Sequence, residues 1–327
     1  MWTRRAAIAA TASALVAPCE VLAQQKSPVL PTSNSTAQPV LSVTEQLMYS
    51  TVRLSTQILT KTQITTHWGT GFIFNLFNMN GRAAAVIVTN RHVIENWKTC
   101  SFKLAASTPD YGPDINKQIQ IEIPNFQSVF IPHSQVDLAI IPISAAINNL
   151  LDRGTRPYTI SLDRDLIPTD EELKGLLPVE QILTVGYPGL LWDDVHNLPV
   201  FHRGYTATAP YIDFKGNKEF LIDIATWPGA SGSPVLLYNE GAWLQRNGTP
   251  MVGSRAKLIG IVYGVATQGV EGQLAIQNGP TAISIPSQMA VPTNLGACIS
   301  ASRVLDFEPI LVSKGFKLPD GYVMRAK

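Results

Sequence analysis

The sequence predicts an all-β fold in two units, followed by a short helix near the C-terminus. Three observations predict it. Short apolar runs, many of them β-branched or aromatic, recur between turn signals along most of the chain. The pattern changes once, over residues 146–180, where helical signals stand, and strands then resume. The strand–helix alternation that a parallel sheet requires is missing.

Taken in order, the first residues read as a leader. Met1-Trp2-Thr3-Arg4-Arg5 is a positive start, Ala6 to Ala17 is apolar, and Val21-Leu22-Ala23 is a small-residue cleavage site, so residues 1–23 are predicted to be a signal peptide. About a dozen apolar residues fall short of the ~20 that cross a bilayer. Export to the periplasm or beyond follows, with no transmembrane segment in the mature chain, and Arg4-Arg5 permits the twin-arginine route. Cys19 is a poor lipid-attachment site because Pro18 precedes it. Residues 24–42, rich in Pro, Ser, Thr and Gln, form a flexible leader.

The runs TVRLST, GTGFIFNLF, AAAVIVTN, IQIEI and VDLAIIPI fill a first β unit over 43–148. A linker spans 149–180. AAINNLLDRG reads as a helical turn at its edge, and TDEELKGLLP, acidic at its start and closed by Pro, as a short helix. QILTVGYPG, FHRGYTATA, EFLIDIAT, SPVLLY, KLIGIVYG and TAISIP make a second unit over 181–290. Residues 291–327 are assigned to a helix, from about Thr293, and a tail. The stretches 238–257 and 265–281 are long loops suited to lids or partner contacts.

Composition removes several function classes. With 25 Lys and Arg against 24 Asp and Glu, the net charge is +1. No basic stripe with interleaved aromatics is present, so nucleic acid is not expected as a partner. Glycine-rich phosphate motifs in strand–helix context are missing, and no cofactor is expected. His196 and His202 lie six apart and both read as surface histidines rather than ligands, so no metal is expected. His133 falls in a loop before a strand. Cys100 and Cys298 remain after the leader; a disulfide between them and two separate buried thiols are both open.

Three segments carry chemistry together. AVIVTNRHVIEN runs a buried-type strand into His92, SQVDLAIIPI opens a strand with Asp137, and TWPGASGSPVLL sets Ser231 among glycines. A serine hydroxyl is a weak nucleophile until an imidazole accepts its proton. The imidazole needs a carboxylate on its other nitrogen, and the developing oxyanion needs N–H donors. The turn before Ser231 can aim the N–H groups of Gly229 and Ser231 into one pocket. Of two serines two positions apart, Ser231 is the candidate nucleophile and Ser233 a small residue entering the next strand. Chain order then discriminates. All five histidines precede Ser231, which excludes an α/β-hydrolase, and no Asp precedes His92, which excludes the subtilisin order. His, Asp, Ser remains, with His92 and Asp137 in the first unit and Ser231 in the second.

In these residues the chain resembles bacterial trypsin-like serine peptidases of the chymotrypsin fold, nearest in style to the HtrA/DegP and glutamyl-endopeptidase branches. GTGFIF (69–74), VTNRHVI (88–94), DLAIIPI (137–143), VGYPG (185–189), IDIATWPGASGSPV (222–235), LIGIVYG (258–264) and AISIPS (282–287) match in the same order. The resemblance implies two six-stranded antiparallel β-barrels and an acyl-enzyme mechanism on protein or peptide substrates. It makes His92 the general base, Asp137 its orienting carboxylate, Ser231 the nucleophile, and Gly229 and Ser231 the oxyanion donors. Ala230 stands where trypsins carry the Asp of their activating ion pair, so that route is not expected. Too few residues follow Ser302 for the PDZ domain of HtrA proteins, and the oligomeric state stays open. Ala225 stands where trypsins select Lys or Arg through a carboxylate, and Val262 where glutamyl endopeptidases use His. A small or medium apolar residue is therefore expected at the cleavage site. Val262, Tyr263 and Gly264 would pair with the substrate backbone, although Tyr263 reads equally as a core aromatic. Asp223 matches a structural position. The alternative is a non-proteolytic chaperone-like or peptide-binding module on the same fold, which loss of one of the three residues would have favoured.

Overall fold

The computed structural model describes residues 41–59, 63–79, 82–189, 192–225, 229–275, 284–319 and 321–324. The predicted signal peptide and the leader up to residue 40 lie outside the described residues, as do Thr226, Trp227 and Pro228.

A helix that the strand pattern gave no hint of comes first. Ser42 accepts the Glu45 N–H and the Glu45 carboxylate accepts the Ser42 N–H, a reciprocal cap that starts α1 (Val43–Ser50). β1 (Thr51–Leu59), β2 (Ile64–Met79) and β3 (Arg82–Thr89) form an antiparallel meander, and α2 (Arg91–Ile94) follows directly. β4 (Cys100–Ser107), β5 (Pro113–Ile123), β6 (Ile131–Pro132) and β7 (Ala139–Pro142) complete the path β5-β4-β1-β2-β3-β7-β6. α3 (Ser144–Asp152) leads into β8 (Pro157–Tyr158), β9 (Leu162–Asp163) and α4 (Asp170–Lys174), which a second reciprocal cap, Thr169 with Glu172, begins. This first sheet has nine strands rather than the six expected: seven lie on that path, and β8 and β9, from the stretch assigned to the linker, pair onto β4 and β2.

The second unit is a closed barrel in the order β10-β11-β12-β17-β16-β13. Its strands are β10 (Gln181–Gly186), β11 (Val200–Thr206), β12 (Glu219–Asp223), β13 (Pro234–Asn239), β16 (Arg255–Ala275) and β17 (Ser284–Ser300). β14 (Ala242–Leu244) and β15 (Pro250–Val252) make a small hairpin after β13. A 3-10 turn over Ala301–Asp306 leads into α5 (Phe307–Ser313).

Two expectations fail in this half. The helix expected from Thr293 is strand, and the barrel runs ten residues past its expected end at 290. Residues 295–299 pair with β12 on one side and β16 on the other, and that tertiary pairing overrides the weak local helix signal. The helix begins at Phe307 instead. Residues 265–275, expected as loop, continue β16 and pair with 284–296 in a long two-stranded ribbon.

Alternation along the strands divides the core into three. Ile73, Ile87, Phe102 and Ile141 pack inside the first unit, and Ile182, Phe220, Ile222 and Val235 inside the second. Their neighbours point the other way. Phe72, Phe74, Val86 and Ile140 meet Leu183, Val185, Leu236 and Ile299 in one continuous apolar cluster, which Phe307 and Leu311 of α5 close. The two units thus share one continuous apolar core. Cys100 and Cys298 are free, buried in different cores, and burial holds both thiols protonated. No helix among the described residues is long and apolar enough to cross a membrane.

His202, expected at the surface, is half-buried on β11, and its Nε2 is buried without a partner. Burial holds its pKa below the ordinary imidazole value of about 6.5. The unfolded chain therefore binds this proton first, and stability falls as pH drops below that value toward the folded-state pKa. His202→Gln is expected to lose less thermal stability than the wild type between pH 7 and pH 5, as measured by melting curves across that range.

Candidate active site

β3 ends at Thr89, and Asn90 turns the chain into α2, so His92 stands at the mouth of the cleft. Asp137 lies just before β7, the strand paired with β3. That pairing brings the two residues together across the sequence. The His92 backbone N–H donates to Asp137 Oδ1 at 2.9 Å, and His92 Nδ1 pairs with Asp137 Oδ2 at 2.5 Å. Asn90 Nδ2 donates to the Asp137 carbonyl oxygen at 2.8 Å. The carboxylate thus grips one residue at two points, which fixes the ring's orientation and leaves Nε2 as the outward nitrogen. The imidazole is 45 % exposed and the carboxylate 25 %, so a substrate can reach the first while the second is largely covered.

The loop before Asp137 is closed by His133, which is more than the connecting-loop residue expected. His133 is 3 % exposed. Its Nδ1 accepts the N–H groups of Gln135 and Val136, at 3.0 and 3.1 Å, so Nε2 carries the proton toward Asp306 Oδ2, at 3.1 Å. Arg303 pairs with the same carboxylate oxygen and donates to Gln135 Oε1. The C-terminal segment therefore holds the loop that presents Asp137.

Ser231 sits on a turn with two glycines in the left-handed region, Gly229 at φ +95° and Gly232 at φ +90°. A β-carbon on Gly229 would lie 2.7 Å from the Tyr187 carbonyl oxygen and 2.8 Å from the Gly189 nitrogen, and one on Gly232 would overlap the Thr70 carbonyl oxygen. Among the described residues no acceptor takes the N–H of Gly229, Ala230 or Ser231, which leaves donors free beside the serine. The two serines differ sharply. Ser231 is half-buried, whereas Ser233 is 2 % exposed with its Oγ unpartnered against Gly186.

Thr70 on β2 ties this turn to the first unit. Its N–H donates to the Ser231 carbonyl oxygen at 3.1 Å. Its hydroxyl accepts the Tyr187 N–H at 2.9 Å and donates to the Gly229 carbonyl oxygen at 2.8 Å. Its own carbonyl accepts the Thr89 hydroxyl at 2.7 Å, three residues before His92. Gly69 next to it lets Val93, the neighbour of His92, lie directly against the strand. Serine turn and histidine helix thus flank one short stretch of β2. Among the described residues Ser231 Oγ makes no hydrogen bond to His92, and such bonds commonly close only when substrate arrives.

Residues 69–244 match the trypsin-like peptidase domain family. The chain belongs to that family. No curated protein matches it. Its two β units are those of the chymotrypsin-like double barrel.

The remaining expected site residues separate. Ala225 is exposed just after β12, and the three residues that follow it are outside the described residues. Val262 has neither backbone group left to pair with a substrate. Its side chain is buried, its N–H donates to Ser233 O, and its carbonyl accepts the Gly232 N–H, so its backbone holds the serine turn instead. β13 leaves β16 at Ile261, and among the described residues no strand pairs with that edge of β16 from Tyr263 onward, with Gly264 clear on its side-chain face. Tyr263 donates to Glu219 Oε2 at 2.9 Å. Burial first, then its hydrogen bond to the Glu219 carboxylate, pushes its phenol pKa up. Asp223 is exposed at the end of β12.

Sequence reading missed Thr70 as a clamp, His133 as a brace, and Asp306 entirely. Thr70 lay inside the GTGF match; Asp306 gave no signal. Asp306→Ala is expected to cost about 1–3 kcal/mol by removing the carboxylate that His133 Nε2 and Arg303 meet, and Asp306→Asn, which keeps an acceptor, less than half of that. Chemical denaturation of both variants measures the difference.

Proposed function

We propose that this chain is an exported serine endopeptidase that works through His92, Asp137 and Ser231. The observation that carries the reading is the two-point grip of Asp137 on His92, across the cleft from a glycine turn whose N–H donors are unspent. Membership of the trypsin-like peptidase family supports it.

In this reading the substrate adds as a strand to the open edge of β16 from Tyr263 to Gly264. Ser231 Oγ attacks the scissile carbonyl carbon while His92 Nε2 takes its proton. The imidazolium that forms is held by Asp137 at Nδ1. The N–H groups of Gly229 and Ser231 stabilise the oxyanion, a contribution of roughly 3–4 kcal/mol per donor in comparable sites. His92 then gives the proton to the leaving amine, and water, activated by the same imidazole, releases the acyl group. Ala225 brings no carboxylate to the specificity pocket and Val262 no imidazole, which supports cleavage after a small or medium apolar residue. The leader over 1–23 supports a periplasmic or secreted location.

A fluorophosphonate probe is expected to label the wild type and Ser233→Ala but not Ser231→Ala, with Ser231→Ala keeping wild-type thermal stability. Labelling of Ser231→Ala, or unlabelled wild type that turns over no peptide, would overturn the reading.

A further inference from the structure

Among the described residues Arg53 on β1 has no acidic partner. It pairs in register with Thr70, so it stands beside the clamp under the serine turn. Its guanidinium lies 4.5 Å from the Trp192 ring and 5.7 Å from the Trp68 ring. Its Nε is buried without a hydrogen-bond acceptor, and burial pulls its pKa down, opposed by Tyr187. Among the described residues no carboxylate pairs with it. Two other half-buried arginines do not share this state. Arg255 has Glu180 and Asn239, and Arg303 has Asp306 and Gln135. Two indole faces offset part of the cost of covering a cation, but only an anion completes it.

The surroundings locate this cation on one side of the nucleophile. β16 holds the serine turn on one flank, through Gly232 N–H and Val262 O. β2 holds it on the other, through Thr70 N–H and Ser231 O. A substrate added to β16 brings its acyl part along the first flank, so the leaving part must pass over the second. Trp68 belongs to that second flank, its Nε1 being 3.0 Å from the β-carbon position of Gly229. Trp192 follows Gly189, whose nitrogen packs on the same glycine. Trp68 therefore borders Gly229 on the leaving-group side, and Trp192, whose ring centroid lies 6.0 Å from that of Tyr187, holds Arg53 from the other ring face available to it.

We propose that Arg53, held between Trp68 and Trp192, is the floor of a subsite that takes a carboxylate on the leaving-group side of the scissile bond. The proposal rests on the peptidase reading above and adds the substrate class on that side. An Asp or Glu side chain and a free chain terminus offer the same anion. A planar guanidinium can bind either with two parallel hydrogen bonds.

The test uses the full wild-type chain and matched peptides that share one acyl side. One pair carries Glu or Gln at the first two leaving-side positions within a long peptide; a second pair is short and ends there as a free acid or an amide. The carboxylate form is expected to be cleaved with kcat/KM higher by about tenfold or more in at least one pair, as a charge-assisted hydrogen bond gives. The first pair identifies a side chain as the source, the second a terminus. In Arg53→Gln the ratio is expected to fall to about one, and in Arg53→Lys, which keeps charge but not the planar stack, to an intermediate value. Because each ratio is taken within one preparation, partial unfolding of a variant does not disguise it. Equal cleavage of both members of both pairs by the wild type, or an unchanged ratio in Arg53→Gln, would show Arg53 to be a packing residue. Wild type that cleaves nothing and escapes the fluorophosphonate probe would remove the peptidase reading and this subsite with it.

Discussion

The site depends on one threonine. Through four hydrogen bonds Thr70 joins β2 to the carbonyls of Gly229 and Ser231, the N–H of Tyr187 and the hydroxyl of Thr89. Ser231 and His92 come from different units, and an apolar interface alone sets their separation only as closely as side chains pack. Directional bonds between backbones set it further. A hydroxyl that donates to one partner and accepts from another has its rotor fixed by both, so Thr70 locks a single arrangement of strand and turn.

The neighbouring sequence follows from that constraint. Gly232 has no side chain because the Thr70 carbonyl occupies that space, and Gly69 has none because Val93 does. Val262 gives both backbone groups to the far side of the same turn. The serine turn is therefore pinned on two flanks and unpinned at the N–H groups of Gly229 and Ser231, where a developing negative charge would fall. Asp137 is held in a parallel way from the opposite end of the chain, through His133 and Asp306. Both halves of the site are rigid where they are gripped from behind and free where they meet solvent. That division is what preorganised electrostatic stabilisation requires.

Much of this was legible in the sequence because its causes are local. A strand that runs into His92, an apolar strand opened by Asp137, and glycines around Ser231 each reflect a backbone demand that few residue types meet. The order of His92, Asp137 and Ser231 removed rival folds without any geometry. What was not legible depends on pairing across long separations. Asp306 meets His133 from 173 residues away, and no local pattern marks either residue. Residues 293–300 carry small and apolar side chains compatible with helix, and only their two strand neighbours decide otherwise. The role of Val262 was misread for the same reason, since a buried valine in a strand does not announce which backbone its amide serves. α1 is the reverse case. Ser42 and Glu45 spell its cap plainly, but the strand pattern that follows drew the reading past it.

The most direct test of the central claim compares Thr70→Val with Thr70→Ser by the rate of fluorophosphonate labelling at Ser231, with folding followed in parallel by circular dichroism. Valine keeps the shape and removes the hydroxyl; serine keeps the hydroxyl and removes the methyl group. If Thr70 assembles the site, the serine variant labels within about twofold of wild type, while the valine variant, still folded, labels slower by tenfold or more, the loss of roughly 1–3 kcal/mol expected when buried partners go unpaired. A folded valine variant that labels at the wild-type rate would contradict the account.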